Sequence, residues 1–255
     1  MREDPGRFSR TALLLGKDAV HRFKQSSVAV VGLGAVGSFA LEALARAGVG
    51  SFSLVDFDEV KPTNFNRQLF ALESTLGKSK TGVACERVLD INPHCQVVAQ
   101  QAFAGPENLN ELLDPAPDAV IDAIDSLNPK TELLKFCVTH GIPVVSSMGA
   151  CDKTDPFCVR VADISETRIC PLARRIRKRL KKNGIPEGIV CVYGTQNPRG
   201  TLGEEGDEET LRRGRKRTPR GSIGYMTGIF GLVAAYEVLK ILAGGSLESV
   251  SGPGS

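Results

Sequence analysis

The 255-residue chain reads as a doubly wound, mostly parallel α/β sheet with a less regular C-terminal extension. Three observations predict it. Short β-branched apolar runs alternate with amphipathic segments through the first 150 residues, the pattern expected where a parallel sheet is covered by helices on both faces. A glycine turn, Gly32-Leu33-Gly34-Ala35-Val36-Gly37, sits at the first strand-to-helix junction. Hydrophobic residues make up 42% of the chain, enough to fill one large core at this length.

The elements follow in order. Residues 27–32 (SVAVVG) are an almost wholly apolar run, the mark of a central strand. Residues 36–47 place Val36, Ala40, Leu41, Leu44 and Ala47 near helical spacing and stop at Gly48. A strand at 52–56, a helix at 78–91 and a strand at 96–99 repeat the unit, and strands at 119–123 and 143–147 flank a helix at 129–140. Strands at 157–162 and 189–193 then enclose a helix at 171–182 that has proline in its first turn. Residues 195–220 are rich in glycine, proline and charge and read as a mobile excursion. A helix at 228–242 is apolar on most sides, and residues 246–255 form a flexible Gly- and Ser-rich tail. The expected organisation is one domain over 1–245, with a nucleotide-binding half to about residue 150 and a substrate-binding half over 151–245.

Composition narrows the setting. The seven cysteines lie singly, with no C-x-x-C pair, which argues against a disulfide framework and a four-thiolate zinc site. A reducing, cytoplasmic location is expected. No leader-like apolar segment opens the sequence, and no run approaches the ~20 apolar residues of a membrane span, so no membrane association is expected.

In the glycine turn, missing side chains let backbone amides approach a phosphate at the positive end of the following helix. Gly32, Gly34 and Gly37 are therefore candidate nucleotide contacts, and Asp56, at the tip of the second strand, suits a ribose hydroxyl. A nicotinamide dinucleotide would use the same pair of features. The polar run that follows, with Asp58, Asn64, Asn66, Arg67 and Gln68, points instead to ATP. Arg67 offers a bidentate fork to phosphate oxygens and the amides add no negative charge, whereas a plain solvated loop would need none of this. Lys80, in GKSK, places an ammonium at a helix start. Asp125, at the tip of the fourth strand, could hold a divalent cation against phosphates or could cap the next helix.

Taken in order, GLGAVG, DFDEVKPTNFNRQ, the GKSK lysine and DAIDS resemble the E1-like adenylating superfamily of the ThiF and MoeB type. The resemblance implies that Asp56 holds the ribose, that Asn66, Arg67 and Lys80 hold the phosphates, and that Asp125 binds magnesium. In the second half, the absence of paired zinc cysteines, DAIDSLNPK and the stretch ending in PLARRIRKRL resemble the tRNA threonylcarbamoyladenosine dehydratases (TcdA/CsdL). That branch implies ATP-dependent adenylation of the threonyl carboxylate of a modified adenosine in the anticodon loop, followed by cyclisation. The alternative is activation of the Gly-Gly end of a ubiquitin-like sulfur carrier. The superfamily also implies a homodimer, with Arg10, or else Arg7, reaching the ATP of the other subunit, and a sulfur-transfer protein as a further partner.

The helix at 171–182 tests the tRNA reading independently. Arg174, Arg175, Arg177, Lys178, Arg179, Lys181 and Lys182 crowd it, while Leu172, Ile176 and Leu180 form a single apolar stripe. A broad cationic face of this kind neutralises several phosphates. A second cluster, Arg212, Arg213, Arg215, Lys216, Arg217 and Arg220, lies on the excursion, with acids at 204–209 that could compensate it. A nucleophilic role for Cys170 or Cys191 has little support, and no covalent enzyme intermediate is expected.

Overall fold

A seven-stranded sheet runs through the molecule in the order β3-β2-β1-β4-β5-β7-β6. The computed structural model describes residues 6–200 and 220–247. Its elements are α1 (Ser9–Leu15), α2 (Lys17–Gln25), β1 (Ser27–Val31), α3 (Gly37–Ala47), β2 (Ser51–Val55), α4 (Lys80–Ile91), β3 (Gln96–Gln100), α5 (Leu109–Leu112), β4 (Ala119–Asp122), α6 (Leu127–Thr139), β5 (Val144–Ser147), β6 (Val159–Asp163), α7 (Pro171–Lys182), β7 (Val190–Gly194) and α8 (Gly224–Leu242). All neighbours pair in parallel except β6, which closes one edge antiparallel to β7.

The central apolar runs became strands that helices cover on both faces, whereas the edge strands β3 and β6 are exposed or half-buried throughout. Val28 to Val31 of β1 are all buried. On one face Leu41 and Leu44 of α3 pack with Phe230 and Val238 of α8, and on the other Leu133 and Leu134 of α6 pack near Ile176 and Leu180 of α7. Each such fully buried side chain contributes roughly 1.5–3 kcal/mol of transfer free energy. The contact of α8 with α3 is close enough that a Cβ on Gly231 would lie 2.4 Å from the Val36 carbonyl oxygen.

The structure departs from the sequence reading in three respects. Helices α1, α2 and α5 were not expected; α1 buries nothing, α2 only Val20 and Phe23, and α5 only Leu109 and Leu112, so each contributes few positions to the core. Helix α8 starts at Gly224 rather than 228, because glycine lets its first turn sit against the loop at Asn66, whose carbonyl oxygen would be 3.0 Å from a Cβ there. This makes α8 19 residues long, enough by length and composition to cross a membrane, although half of it is buried against the fold. Finally, the excursion does not begin at 195. The Thr195 N–H donates to the Cys158 carbonyl at 2.9 Å, and Gln196 Oε1 accepts from the backbone of Thr154 at 2.8 Å and Asp155 at 3.0 Å. Residues 201–219, with the second basic cluster up to Arg217 and the acids near it, and tail residues 248–255 lie outside the described residues. Arg220 is described, with Nη1 3.2 Å from the buried Asp152 carboxylate.

Candidate functional site

From β1 the chain winds outward to β2 and β3, then returns to place β4 on the other side of β1. A crevice opens at the carboxyl ends of such a strand pair, because the connections diverge there. Val31 pairs with Asp122, so the two strands end side by side and the glycine turn lies against the loop leaving β4.

The three glycines have different duties. Gly32 has φ +93°, and a Cβ there would lie 2.8 Å from the Ala123 carbonyl oxygen, while one on Gly37 would lie 1.8 Å from the Gly32 oxygen. A Cβ on Gly34 would meet only Gln68 Nε2, at 3.8 Å. The fold requires the first and third; the second borders open space beside Gln68.

Asp56 is 8% exposed. Its Oδ2 accepts from the Leu33 N–H at 2.7 Å and its Oδ1 from the Asp58 N–H at 2.9 Å, so the carboxylate braces the glycine turn. Burial pushes this carboxyl up from its ordinary value, and the positive charge of Lys80 opposes the rise. Lys80 opens α4 and is buried, unlike a surface lysine, with Nζ 3.2 Å from the Asp58 carboxylate. Ser79 caps the helix by accepting from the Gly82 N–H at 3.2 Å.

Residues 64–68 form one tight turn. Asn64 is buried and builds it: Oδ1 accepts from the Lys61 N–H at 3.1 Å, and its carbonyl accepts from the N–H groups of Arg67 at 3.1 Å and Gln68 at 2.9 Å. Asn66 is exposed; Nδ2 donates to the Ser222 carbonyl at 2.9 Å and Oδ1 accepts from Arg67 Nη1 at 2.9 Å. Arg67 Nη1 also donates to the Thr63 carbonyl at 2.6 Å. One arm of the guanidinium is thus fixed, and among the described residues the hydrogen bonds of the Arg67 side chain all run through Nη1.

Asp125 is exposed beyond β4, one residue before Ser126, which takes the N-cap position of α6 with no side-chain cap bond of its own. Arg67, Asp152 and Asp125 all act electrostatically on the Cys151 thiol, which gathers the three charges around one sulfur that burial keeps protonated. No group of three or more His, Cys, Asp or Glu side chains fit for a metal occurs among the described residues. The exposed Asp125 carboxylate fits a hard cation held chiefly by nucleotide phosphates and water, as magnesium is.

Arg10 is exposed on α1. Arg7 is not equivalent to it, because its Nη1 donates to the Ile91 carbonyl at the end of α4 and is engaged within its own subunit.

The basic helix divides likewise. Arg174, Arg175, Lys178, Lys181 and Lys182 are exposed, and Ala173 joins Ile176 and Leu180 in the buried stripe in place of the half-buried Leu172. Arg177 Nη1 donates to the Thr167 carbonyl at 2.6 Å and its hydroxyl at 2.7 Å, and Arg179 Nη1 donates to Asn128 Oδ1. Both therefore serve the fold. A cleft of about 510 Å³ between Ser165 and Pro186 is lined by Arg174, Arg177, Lys178 and Lys181. Cys170 and Cys191 are 3% and 0% exposed, out of reach of a substrate. Sequence reasoning missed a fully buried lysine, Lys130 on α6, although a lysine so near DAIDS inside an apolar period was a signal.

The glycine turn, the paired acids, Arg67, Lys80 and Asp125 thus meet at one sheet edge, and the ThiF family profile matches residues 8–252 of this chain. The chain belongs to the ThiF family. Among ThiF-type relatives, the tRNA threonylcarbamoyladenosine dehydratase of Bacillus subtilis is 41% identical over 239 residues, covering 92% of this chain and 94% of that protein. The Escherichia coli dehydratase TcdA, solved in complex with ATP, superposes with TM-score 0.83 at 35% identity, covering 95% of this chain and 96% of that one. The adenylyltransferase and sulfurtransferase MOCS3 of Drosophila willistoni is more distant, at 29% identity over 252 residues, and only 48% of its length is covered.

Proposed function

We propose that this chain is an ATP-dependent tRNA threonylcarbamoyladenosine dehydratase. What supports the reading most is that Asp56, with Lys80 acting on it, braces the glycine turn while Arg67 and Asp125 both act on Cys151, in a chain similar over nearly its whole length to dehydratases of that name. The chemistry follows from the substrate. A carboxylate is a poor electrophile, so one of its oxygens attacks the α-phosphorus of ATP, pyrophosphate leaves, and the acid becomes an acyl-adenylate. The ureido group of the same nucleoside then attacks the acyl carbon; AMP leaves and its proton is lost, for a net loss of water.

Lys80 and Arg67 stabilise charge that builds on the phosphates. Gly34 leaves room for close backbone approach, and Asp56, Asp58, Asn66 and Gln68 shape the nucleoside and phosphate pocket. Asp125 would hold magnesium, which supplies charge neutralisation on the phosphates. The exposed cations of α7, with the cleft beside them, suit the tRNA backbone.

A homodimer belongs to the same reading. Helix α1 buries no residue, with Leu13 87% and Leu14 68% exposed, and a second copy covering it would carry Arg10 toward the neighbouring crevice. We place the enzyme in the cytoplasm, where its tRNA is. A sulfur-transfer protein would interact without thiol exchange at the buried Cys170 and Cys191. Mass analysis of anticodon-loop nucleosides from cells lacking the gene tests the assignment: the cyclic nucleoside should be replaced by its open form, and its persistence in the absence of a second such gene rejects the tRNA substrate.

A further inference from the structure

Lys130 and Asp122 are both fully buried, with Nζ 2.7 Å from Oδ2. The pair sits directly beneath the loop that carries Asp125. Asp122 Oδ1 accepts from the Ile124 N–H at 3.1 Å, and Oδ2 also accepts from the Ser146 hydroxyl at 2.6 Å. Lys130 Nζ donates to the Ile124 carbonyl at 2.9 Å and lies 3.4 Å from the Asp122 carbonyl. Both polar groups of the Ile124 backbone are therefore held, one by each member of the pair. The same loop meets the glycine turn, since a Cβ on Gly32 would lie 2.8 Å from the Ala123 oxygen and 3.2 Å from the Ile124 nitrogen.

A buried ion pair is a poor source of stability, because desolvation offsets most of the attraction. Two neighbouring thiols stay neutral beside it: burial pushes the Cys137 thiol up to about 12 and raises the Cys191 thiol as well. What the pair does supply is direction, through the two bonds to Ile124 that fix one short loop ahead of Asp125.

We propose that Lys130, Asp122 and Ser146 are positioning residues that aim Asp125 at the nucleotide-bound cation, so that the pair serves the reaction rather than the stability of the fold. This rests on the assignment of Asp125 as the magnesium-holding residue. The residues act on the cation only through the loop, as the outer partners of metal ligands do.

The test is the double variant Asp122→Asn/Lys130→Met, which removes the pair without stranding a charge. Binding of a non-hydrolysable ATP analogue is measured with magnesium and with chelator, alongside thermal unfolding, with Asp125→Asn as control. The expected result is a folded double variant that loses about tenfold or more of the magnesium-dependent gain in affinity, as Asp125→Asn does, with affinity in chelator little changed. A folded double variant with the wild-type magnesium gain overturns the proposal while Asp125→Asn still loses it. If Asp125→Asn keeps the gain, the assignment of Asp125 itself fails and the proposal with it. Should the double variant unfold, Ser146→Ala decides: a partial loss of the magnesium gain supports the role, and an unchanged gain rejects it.

Discussion

The Lys80 ammonium lies 3.2 Å from the Asp58 carboxylate, and the Lys80 backbone N–H donates to the Asp58 carbonyl at 3.0 Å. Two bonds thus join the start of α4 to the loop after β2, and they hold a buried cation beside the glycine turn. Lys80→Ala should lower pyrophosphate release by about 10²-fold or more while far-UV circular dichroism stays native, since its main loss is charge aimed at the phosphates.

The same substitution has a signature in pH. The Asp56 carboxyl is raised in the folded state by burial, with Lys80 opposing the rise. A raised carboxyl contributes stability that is complete below the unfolded value, about pH 4, and lost as pH climbs through the folded value. Without Lys80 the folded value climbs further, so the stability deficit of Lys80→Ala relative to wild type should widen between about pH 4 and neutrality. Denaturant titrations across that range check the sign; a deficit constant with pH would show that Lys80 does not act on Asp56.

The glycine turn separates fold from ligand. Gly37→Ala should destabilise the protein, because its methyl would lie 1.8 Å from a backbone oxygen. Gly34→Ala has only Gln68 Nε2 to meet, at 3.8 Å. It should fold with a melting temperature close to wild type and bind ATP more weakly, which calorimetry can read directly.

Much of this was legible in the sequence. All seven strands lie where short runs foretold them, and the central ones were plainest because a parallel strand covered twice must be apolar at nearly every position, as β1 and β4 are. Arg67, Lys80 and Asp125 could be gathered at one edge because strand order and alternation already place strand tips together. What stayed hidden depended on contacts between distant segments. Arg177 and Arg179 read as surface charge until the Thr167 carbonyl and Asn128 faced them. Lys130 and Asp122 conceal their burial because each is the other's partner, which no periodicity reports.

On α7 the exposed and anchored cations should behave differently. Alanine at Arg174, Arg175, Lys178 or Lys181 should weaken tRNA binding and reduce the slope of log affinity against log salt by up to about 1 per charge, with stability unchanged. Arg177→Ala should instead destabilise the fold by about 1–3 kcal/mol, since it leaves the Thr167 carbonyl unpartnered. Filter binding over a salt series, beside thermal melts, separates the two classes.

Glu42 on α3 ties that helix to α4. It accepts from Arg87 Nε at 2.9 Å and Nη2 at 2.8 Å and from Arg46 Nε at 2.7 Å. Burial acts to raise its carboxyl, but the two arginines outweigh that and hold it below the ordinary value. Glu42→Gln should cost about 1 kcal/mol at neutral pH, a small value because the arginines are partly solvent-screened. The cost should disappear as pH falls through the depressed value, where the wild-type carboxylate is itself protonated.

The most direct test of the central claim is the formation of pyrophosphate and AMP by the purified protein with magnesium and ATP, using two acceptors in parallel. With tRNA bearing threonylcarbamoyladenosine, both products should form together with a nucleoside lighter by one water, and neither should form with the Asp125→Asn variant. Products appearing only with a carrier protein ending in Gly-Gly, or ADP and phosphate in place of AMP and pyrophosphate, would contradict it.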